Sequence, residues 1–230
     1  MTRGKSGGRN SRRTGNLKVR TGRRRSASSK RWLDRQLNDP YVREAQLEGY
    51  RSRAAYKLIE IDDKFRLLRK GLRVVDLGAA PGGWTQVAVQ RAGEGNVIAL
   101  DREEMLPVSG SRPICADFME PEAIETLRGE LGGEADLILS DIAPSTTGHS
   151  GTDHLRILAA AEAVLDFAET VLTEGGALIV KVFQGGTEKE LLMRLRRQFE
   201  TVKHVKPPAS RKESPELYVV ARGFKRPAAD

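Results

Sequence analysis

The sequence predicts an α/β fold in which a mostly parallel sheet carries helices on both faces. Short apolar runs typical of buried strands alternate with stretches of helical periodicity. The last two apolar runs have no helix between them, which favours an antiparallel pair at the end of the sheet. Acidic residues recur where the apolar runs end, at the sheet edge where ligands of such folds bind. The 230 residues are enough for one core of ordinary domain size.

The first predicted element is a helix that follows Ser52, a typical N-cap residue. Its apolar residues recur at helical spacing and give it one apolar face: Ala54, Leu58, Ile61, Phe65 and Leu68. Lys57 lies about 60° from the centre of this face, so it can reach inward from the rim. The same spacing also fits an exposed lysine whose stem packs on the surface.

Seven apolar segments predict the strands, and helical stretches connect most of them. The segments are 72–75, 97–100, 113–116, 137–139, 177–183, 201–205 and 217–221. The helical stretches are 85–91, 121–131, 153–172 and 187–199. Alternating strands and helices imply right-handed crossovers and parallel neighbours. The last two segments are joined by a Pro207-Pro208 turn and are therefore expected to be antiparallel.

Aspartates stand at the carboxyl ends of four predicted strands. They are Asp76, Asp101, Asp117 and Asp141. One such residue is usually a loop or helix cap, but four in series indicate a ligand with several hydroxyl, amino or cationic groups.

The turn after the first strand narrows the class of ligand. It reads Asp-Leu-Gly-Ala-Ala-Pro-Gly-Gly-Trp from Asp76 to Trp84, and its glycines allow a tight turn and a close approach. The turn lacks the G-x-G-x-x-G pattern, which counts against a dinucleotide pyrophosphate site. Asp101 follows at close to the interval of roughly 20 residues at which a second-strand acid binds ribose hydroxyls. A nucleoside without a pyrophosphate satisfies both observations.

Charge is divided unevenly along the chain. Residues 1–31 contain twelve Lys or Arg and no Asp or Glu, so the net charge of +8 is the sum of a +12 arm and a −4 remainder. We expect residues 1–31 to be a disordered basic arm, 32–226 to be the folded domain and 227–230 to be a short tail. The arm is either a solubilising tail or a contact for nucleic acid.

Composition excludes several classes of protein. A single cysteine, Cys115, cannot form an internal disulfide, and it favours a reducing compartment. It lies in an apolar segment and is expected to be a packed strand residue. No apolar run approaches the roughly 18 residues of a membrane span. The expectation is a soluble cytoplasmic protein without a membrane partner. No metal site is expected either, because the histidines lack ligand spacing: His149, His154 and His204.

The turn from Asp76 to Trp84 resembles the first motif of S-adenosylmethionine-dependent methyltransferases. Its Pro-Gly-Gly-Trp form is that of the FtsJ (RrmJ, RlmE) family of large-subunit ribosomal RNA ribose 2'-O-methyltransferases. Further motifs occur in the family's order and cover nearly all of the chain after the arm: Ser-Arg-Ala-Ala-Tyr-Lys at 52–57, Ser-Asp-Ile-Ala-Pro at 140–144, Lys-Val-Phe at 181–183 and Glu-Leu-Tyr at 216–218. The arm is longer and more basic than the family needs, so the resemblance does not explain it.

The resemblance implies a Rossmann-like S-adenosylmethionine methyltransferase fold, with a seven-stranded sheet and an antiparallel last strand. It also implies 2'-O-methylation of a uridine ribose in 23S ribosomal RNA, within the large ribosomal subunit, with S-adenosyl-L-methionine as cofactor. The cofactor contacts would be Gly82, Trp84, Asp101, Asp117 and Asp141. The catalytic tetrad would be Lys57, Asp141, Lys181 and Glu216.

The residues themselves support two members of this tetrad. Lys181 interrupts the apolar run 177–183, where an ammonium is costly unless it is paired. A salt bridge to a neighbouring carboxylate is one explanation, and a catalytic lysine at the carboxyl end of the sheet is the other. Glu216 opens the last strand. It joins the site if that strand is antiparallel within the sheet, and is otherwise an exposed edge charge.

A ribose hydroxyl is a poor nucleophile until its proton leaves, so the site needs a base. Our hypothesis is that Lys181 is this base, that Asp141 and Lys57 orient it and set its charge, and that Glu216 holds the ribose. Methylation of cytosine C5 fits less well, because it needs a cysteine nucleophile and Cys115 is expected to be a packed strand residue. Methylation of an exocyclic amine typically uses an Asp/Asn-Pro-Pro-aromatic turn, and residues 141–144 lack its second proline and its aromatic residue. Remaining alternatives are transfer RNA or another RNA as substrate, a non-catalytic ribosome-assembly factor that binds RNA, and a dinucleotide oxidoreductase.

Overall fold

The computed structural model describes residues 37–184 and 189–226, which contain a seven-stranded sheet. The strands are β1 (Val74–Leu77), β2 (Val97–Asp101), β3 (Ser111–Cys115), β4 (Ala135–Ser140), β5 (Leu172–Phe183), β6 (Phe199–Val205) and β7 (Glu216–Phe224). Their order in the sheet is β3-β2-β1-β4-β5-β7-β6. Neighbours from β3 to β5 are parallel, whereas β7 is antiparallel to both β5 and β6. The predicted fold class, including the antiparallel last strand, is confirmed.

Six helices accompany the strands in the described ranges. They are α1 (Pro40–Glu48), α2 (Ala54–Phe65), α3 (Gly83–Ala92), α4 (Pro121–Leu131), α5 (Ser150–Val171) and α6 (Lys189–Gln198). One hydrophobic cluster joins α4, α5 and α6 to one face of the sheet, and a second joins α2 and α3 to the other. Along β5, Leu178 and Val180 belong to the first cluster and Ile179 to the second, as strand alternation requires.

Helix α1 was not predicted from the sequence. It is short, and Ala45 is its buried residue, so its apolar periodicity is weak. Its ends nevertheless carry ordinary signals. The Asp39 side chain accepts the Tyr41 N–H at the N-cap, Pro40 occupies the first helical position, and Gly49 ends the helix in the left-handed conformation.

Helix α2 begins one residue later than expected, and the predicted Ser52 cap is wrong. Arg53 precedes the helix, and no described side chain caps its first turn. Ser52 instead packs against the start of α3, where a Cβ on Gly83 would lie 2.4 Å from its hydroxyl oxygen. The helix ends at Phe65 because the Asp62 carboxylate accepts the main-chain N–H groups that follow, those of Leu67 and Leu68.

One further prediction is wrong, and another concerns residues that the structure does not describe. Cys115 is exposed rather than packed, because β3 is the edge strand of the sheet. The predicted arm at 1–31 and tail at 227–230 lie outside the described residues. Within the described residues, no helix combines the length and apolar character needed to cross a membrane.

Candidate active site

A cavity of about 550 Å³ opens where the parallel strands end. The loops after β1, β2, β3 and β4 contribute to its wall, together with one side of α5. Its lining includes Gly78, Asp101, Asp117, Met119, Asp141 and Ile142. Three of the four predicted strand-end aspartates therefore line one cavity, as parallel strands require.

The loops after β1 and β4 approach each other closely at Gly78. This residue has a φ of +71°, and a Cβ there would lie 2.5 Å from Ile142 Cγ1. Both the backbone conformation and the contact therefore favour glycine. The tight turn that the sequence predicts is present, and its first glycine brings two walls of the cavity together.

Main-chain N–H groups fix the carboxylates of the cavity wall. Asp101 accepts the Ala80 N–H at 2.9 Å through one oxygen and the Glu103 N–H at 2.8 Å through the other. Asp117 accepts the Met119 N–H at 3.0 Å. Each carboxylate is thus oriented by backbone while lone pairs remain for a ligand in the cavity.

Asp76, the fourth strand-end aspartate, is buried inside β1 and accepts the Thr85 hydroxyl at 2.7 Å. Burial raises the pKa of Asp76 from its ordinary value of 3.8 to about 7. The Thr85 hydrogen bond opposes this rise, and the nearby carboxylates of Asp141 and Asp101 add to it. Asp76 therefore lies within the sheet and is not among the described residues that line the cavity.

Gly82 and Trp84, two of the predicted cofactor contacts, are not among the described residues that line the cavity. Trp84 is buried, donates its indole N–H to the Ala54 carbonyl at 2.8 Å and packs 5.5 Å from the Tyr218 ring, centroid to centroid. Gly82 precedes α3 with a φ of +108°. Their contact with a cofactor stays a prediction.

The structure brings the four predicted tetrad residues together. Lys181 Nζ lies 2.5 Å from Asp141 Oδ1 and donates to the Asp141 main-chain carbonyl at 2.9 Å. Lys57 Nζ donates to Glu216 Oε2 at 3.0 Å and lies 3.7 Å from Asp141 Oδ2. Two amines and two carboxylates from α2, β5, β7 and the loop after β4 therefore form one connected group.

This geometry decides the alternatives left open by the sequence. Lys57 is only 6% exposed, so its interpretation as a surface lysine is wrong. Glu216 pairs with Phe183 in the antiparallel register, which places it at the carboxyl end of β5 rather than on an exposed edge. The salt bridge considered for Lys181 exists, but its partner Asp141 also lines the cavity.

Tyr218 is a member of this group that the sequence reasoning missed. Its hydroxyl accepts from Lys57 Nζ at 3.1 Å and donates to Asp141 Oδ1. Burial, together with the carboxylates of Asp141 and Glu216, raises the pKa of Tyr218 well above 10, so the phenol stays neutral. Its signal in the sequence was its position two residues after Glu216, on the same strand face.

Asp141 is the charged centre of the group. Burial alone would raise its pKa, but the ammonium groups of Lys181 and Lys57, with the hydrogen bonds from Lys181 and Tyr218, hold the pKa of Asp141 below its ordinary value. The carboxylate is therefore ionised near neutral pH. Such a group can position an amine at the end of the cavity and balance the charge of a proton that the amine accepts.

Metal-ligating side chains are not gathered in the described ranges, where no three His, Cys, Asp or Glu residues are grouped as an ion would require. The ring of His154 lies 6.3 Å from that of Phe183, centroid to centroid.

Comparisons with known proteins identify the family of the chain. The sequence profile of the FtsJ-like methyltransferase family matches residues 50–224. A ribosomal RNA large subunit methyltransferase E from Gluconobacter oxydans is 58% identical over 209 residues, which cover 91% of this chain and 78% of that protein. The protein of the same name from Sphingopyxis alaskensis is 56% identical, covering 96% of this chain and 95% of the relative.

Two solved structures resemble the chain, one in sequence and fold and the other in fold alone. A protein described as a ribosomal RNA methyltransferase from Plasmodium falciparum has a TM-score of 0.69 and 31% sequence identity, over 76% of this chain and 98% of that chain. A protein described as a hemolysin from Streptococcus thermophilus has a TM-score of 0.56 at 16% identity, covering 77% of this chain and 68% of that chain. The second likeness concerns the fold alone.

Proposed function

Because the chain belongs to the FtsJ-like methyltransferase family, we propose that it transfers a methyl group from S-adenosyl-L-methionine to a ribose 2'-hydroxyl of large-subunit ribosomal RNA. The target is a uridine of the 23S RNA. The observation that carries the proposal is the group of Lys57, Asp141, Lys181 and Glu216 at one end of an acidic cavity. Relatives from several bacteria, at 53 to 58% identity, bear the name ribosomal RNA large subunit methyltransferase E.

The cavity fits the proposed cofactor in size and in chemistry. Its volume of about 550 Å³ is within the range usual for small-molecule sites. Asp101 would hold the ribose hydroxyls, and Asp117 would accept from the adenine amino group, beside the apolar Met119. Asp141 would face the cationic end. Gly82 and Trp84 would contribute to cofactor binding through the conformation of the turn at 76–84, to which both belong.

The cofactor supplies, when bound, a methyl group made electrophilic by its sulfonium. Lys181, whose ammonium pairs with Asp141 in the absence of substrate, would act as the base after it has lost one proton. Two of the four tetrahedral directions at its Nζ then point to the Asp141 carboxylate and carbonyl, and a third is its own carbon. The remaining direction holds the lone pair, which is free to accept the proton of the ribose hydroxyl.

The other residues prepare that proton transfer. Lys57 donates to Glu216 and Tyr218, so its position beside Asp141 does not depend on Lys181. Lys181 would take up the hydroxyl proton as the ribose oxygen accepts the methyl group, and the thioether would be the leaving group, held in the cavity lined by Asp101 and Asp117. Most of the acceleration would come from holding the two reactants in line. Glu216 would accept a hydrogen bond from the ribose.

Methyl transfer to large-subunit RNA by the purified protein tests the proposal, with Lys181→Ala as the variant and Lys203→Ala, an exposed lysine of β6, as the matched control. We expect Lys181→Ala to abolish transfer while its affinity for S-adenosylhomocysteine stays within a few fold of the wild type. Turnover retained by Lys181→Ala would overturn the assignment of the base.

The substrate is tested separately by mapping ribose methylation across all RNA from cells with and without the gene. We expect the loss of one uridine modification in the large-subunit RNA. A loss confined to transfer RNA would refute the substrate and keep the chemistry. An unchanged map, together with undiminished RNA binding, would favour the non-catalytic assembly factor.

A further inference from the structure

Arg51 joins two loops that flank the cavity. It lies between α1 and α2, and its guanidinium donates to three main-chain carbonyls. Nη1 bonds the carbonyls of Pro81, at 3.2 Å, and Leu106, and Nη2 bonds that of Pro107 at 2.7 Å. Its own N–H donates to Gln86 Oε1 at 2.8 Å, which fixes the residue to α3.

Both loops belong to the wall of the proposed cofactor site. Pro81 follows Ala80, which lines the cavity. Leu106 and Pro107 end the segment that leaves β2 at Asp101, whose first residues also line it. Asp101 attaches the near end of that segment to the turn through the Ala80 N–H, and Arg51 attaches the far end through the Pro81 carbonyl.

Gly82 makes this attachment possible. A Cβ at Gly82 would lie 3.0 Å from Arg51 Nη1 and 2.8 Å from Val108 Cγ2, and Val108 is buried. The glycine therefore leaves room for the arginine and for the end of the 102–108 segment to pass over the turn. A lysine at position 51 would carry its three N–H donors on one nitrogen, so it could not reproduce the spread of Nη1 and Nη2 over three carbonyls.

We propose that Arg51 is a positioning residue for the methyl-donor cofactor. With Gly82 and Val108 it forms a clasp that holds the 102–108 segment against the turn and so keeps Asp101 and Glu103 in place at the cavity wall. The identity of the ligand rests on the proposed function. The clasp also gives Gly82 a role in cofactor affinity that needs no direct contact.

The test uses Arg51→Lys, which keeps the charge and loses most of the carbonyl bonds. We expect the Kd for S-adenosylhomocysteine, measured by calorimetry without RNA, to rise about tenfold, as for one net hydrogen bond. In the cofactor-free protein, amides of 102–108 should exchange hydrogen faster while Tm changes little. The KM for the cofactor should rise with kcat near that of the wild type.

A matched pair of glycine variants separates the clasp from backbone strain. Gly82→Ala should weaken cofactor binding, whereas Gly71→Ala, at a φ of +87° with nothing within 4 Å, should not. The Arg51→Lys/Gly82→Ala double variant should be little worse than either single variant, because both open the same clasp.

Three results would overturn the clasp or its premise. Wild-type cofactor affinity and exchange rates in Arg51→Lys would refute the clasp. A change confined to the KM and salt dependence for RNA would make Arg51 an RNA contact instead. Failure of the wild-type protein itself to bind S-adenosylhomocysteine would refute the proposed function, and the cofactor role with it.

Discussion

The Tyr218 hydroxyl donates to Oδ1 of Asp141, the same oxygen that lies 2.5 Å from Lys181 Nζ. One carboxylate oxygen thus serves both the phenol and the proposed base, while the phenol also accepts from Lys57. The position of the Lys181 amine therefore depends on Tyr218, which is not among the described residues that line the cavity.

Tyr218→Phe removes the hydroxyl and little else. We expect the free energy of unfolding to fall by about 1 to 2 kcal/mol, because Lys57 loses an acceptor in a buried position. We also expect kcat to fall about tenfold as Asp141 and Lys181 shift. Urea unfolding and single-turnover rates measure the two effects. Tyr50→Phe, whose hydroxyl bonds Gln90 at the surface, is the control and should change neither.

Lys57→Met replaces a buried ammonium by an apolar chain of similar length. It removes one of the charges that lower the pKa of Asp141 and leaves Glu216 without its ion pair. We expect kcat to fall by at least about a hundredfold, with cofactor affinity nearly unchanged. Lys64→Met, on the exposed side of the same helix, is the comparison. Equal activity of the two variants would remove Lys57 from the mechanism.

The raised pKa of Asp76 predicts that the free energy of unfolding falls as the pH rises from about 4 to about 7. Its pKa is raised from 3.8 to about 7 in the folded protein, so the folded state binds more protons than the unfolded state between these values. Stability from this group is therefore full below about pH 4 and declines as pH rises to about 7, by up to about 4 kcal/mol. Asp141, whose pKa is lowered, contributes the opposite slope only below pH 3.8.

Asp76→Asn tests this directly, because an amide can still accept the Thr85 hydroxyl but cannot ionise. We expect the variant to lose the decline between pH 4 and 7 and to be at least as stable as the wild type at pH 8. Urea unfolding at several pH values gives the slope. Parallel slopes for the two proteins would contradict the raised pKa.

The basic segment at 1–31 carries a prediction from its charge alone. Removing residues 1–29 should weaken RNA binding and make the dependence of log K on log salt less steep, since fewer counterions are released. The methylated position should not change. Affinity titrations at several salt concentrations measure both the affinity for RNA and this slope. An unaltered affinity and slope would show that the segment is only a solubilising tail.

Much of the fold was predictable because buried strands and amphipathic helices leave strong patterns. Helix α1 was missed because it buries little apolar surface, and its end signals at Asp39 and Gly49 are short. The exposure of Cys115 could not be predicted, because an apolar segment does not reveal whether its strand lies at the edge of the sheet.

The site was predictable where chemistry conflicts with its surroundings. Lys181 stands out as a cation within an apolar strand, and the strand-end aspartates stand out by repetition. Tyr218 does not stand out, because tyrosine is common in strands and only the three-dimensional contact shows the use of its hydroxyl. Arg51 is equally inconspicuous, since its partners are backbone carbonyls distant in sequence.

The insertion of β7 between β5 and β6 has a consequence for the order in which the protein matures. Two of the residues around Asp141, Glu216 and Tyr218, belong to this strand, which is the last of the sheet to be synthesised. Strand β7 also supplies buried residues to the hydrophobic clusters on both faces of the sheet, Val219 and Ala221 to one and Val220 to the other. The core and the group around Asp141 are therefore completed by the same strand, at the end of synthesis.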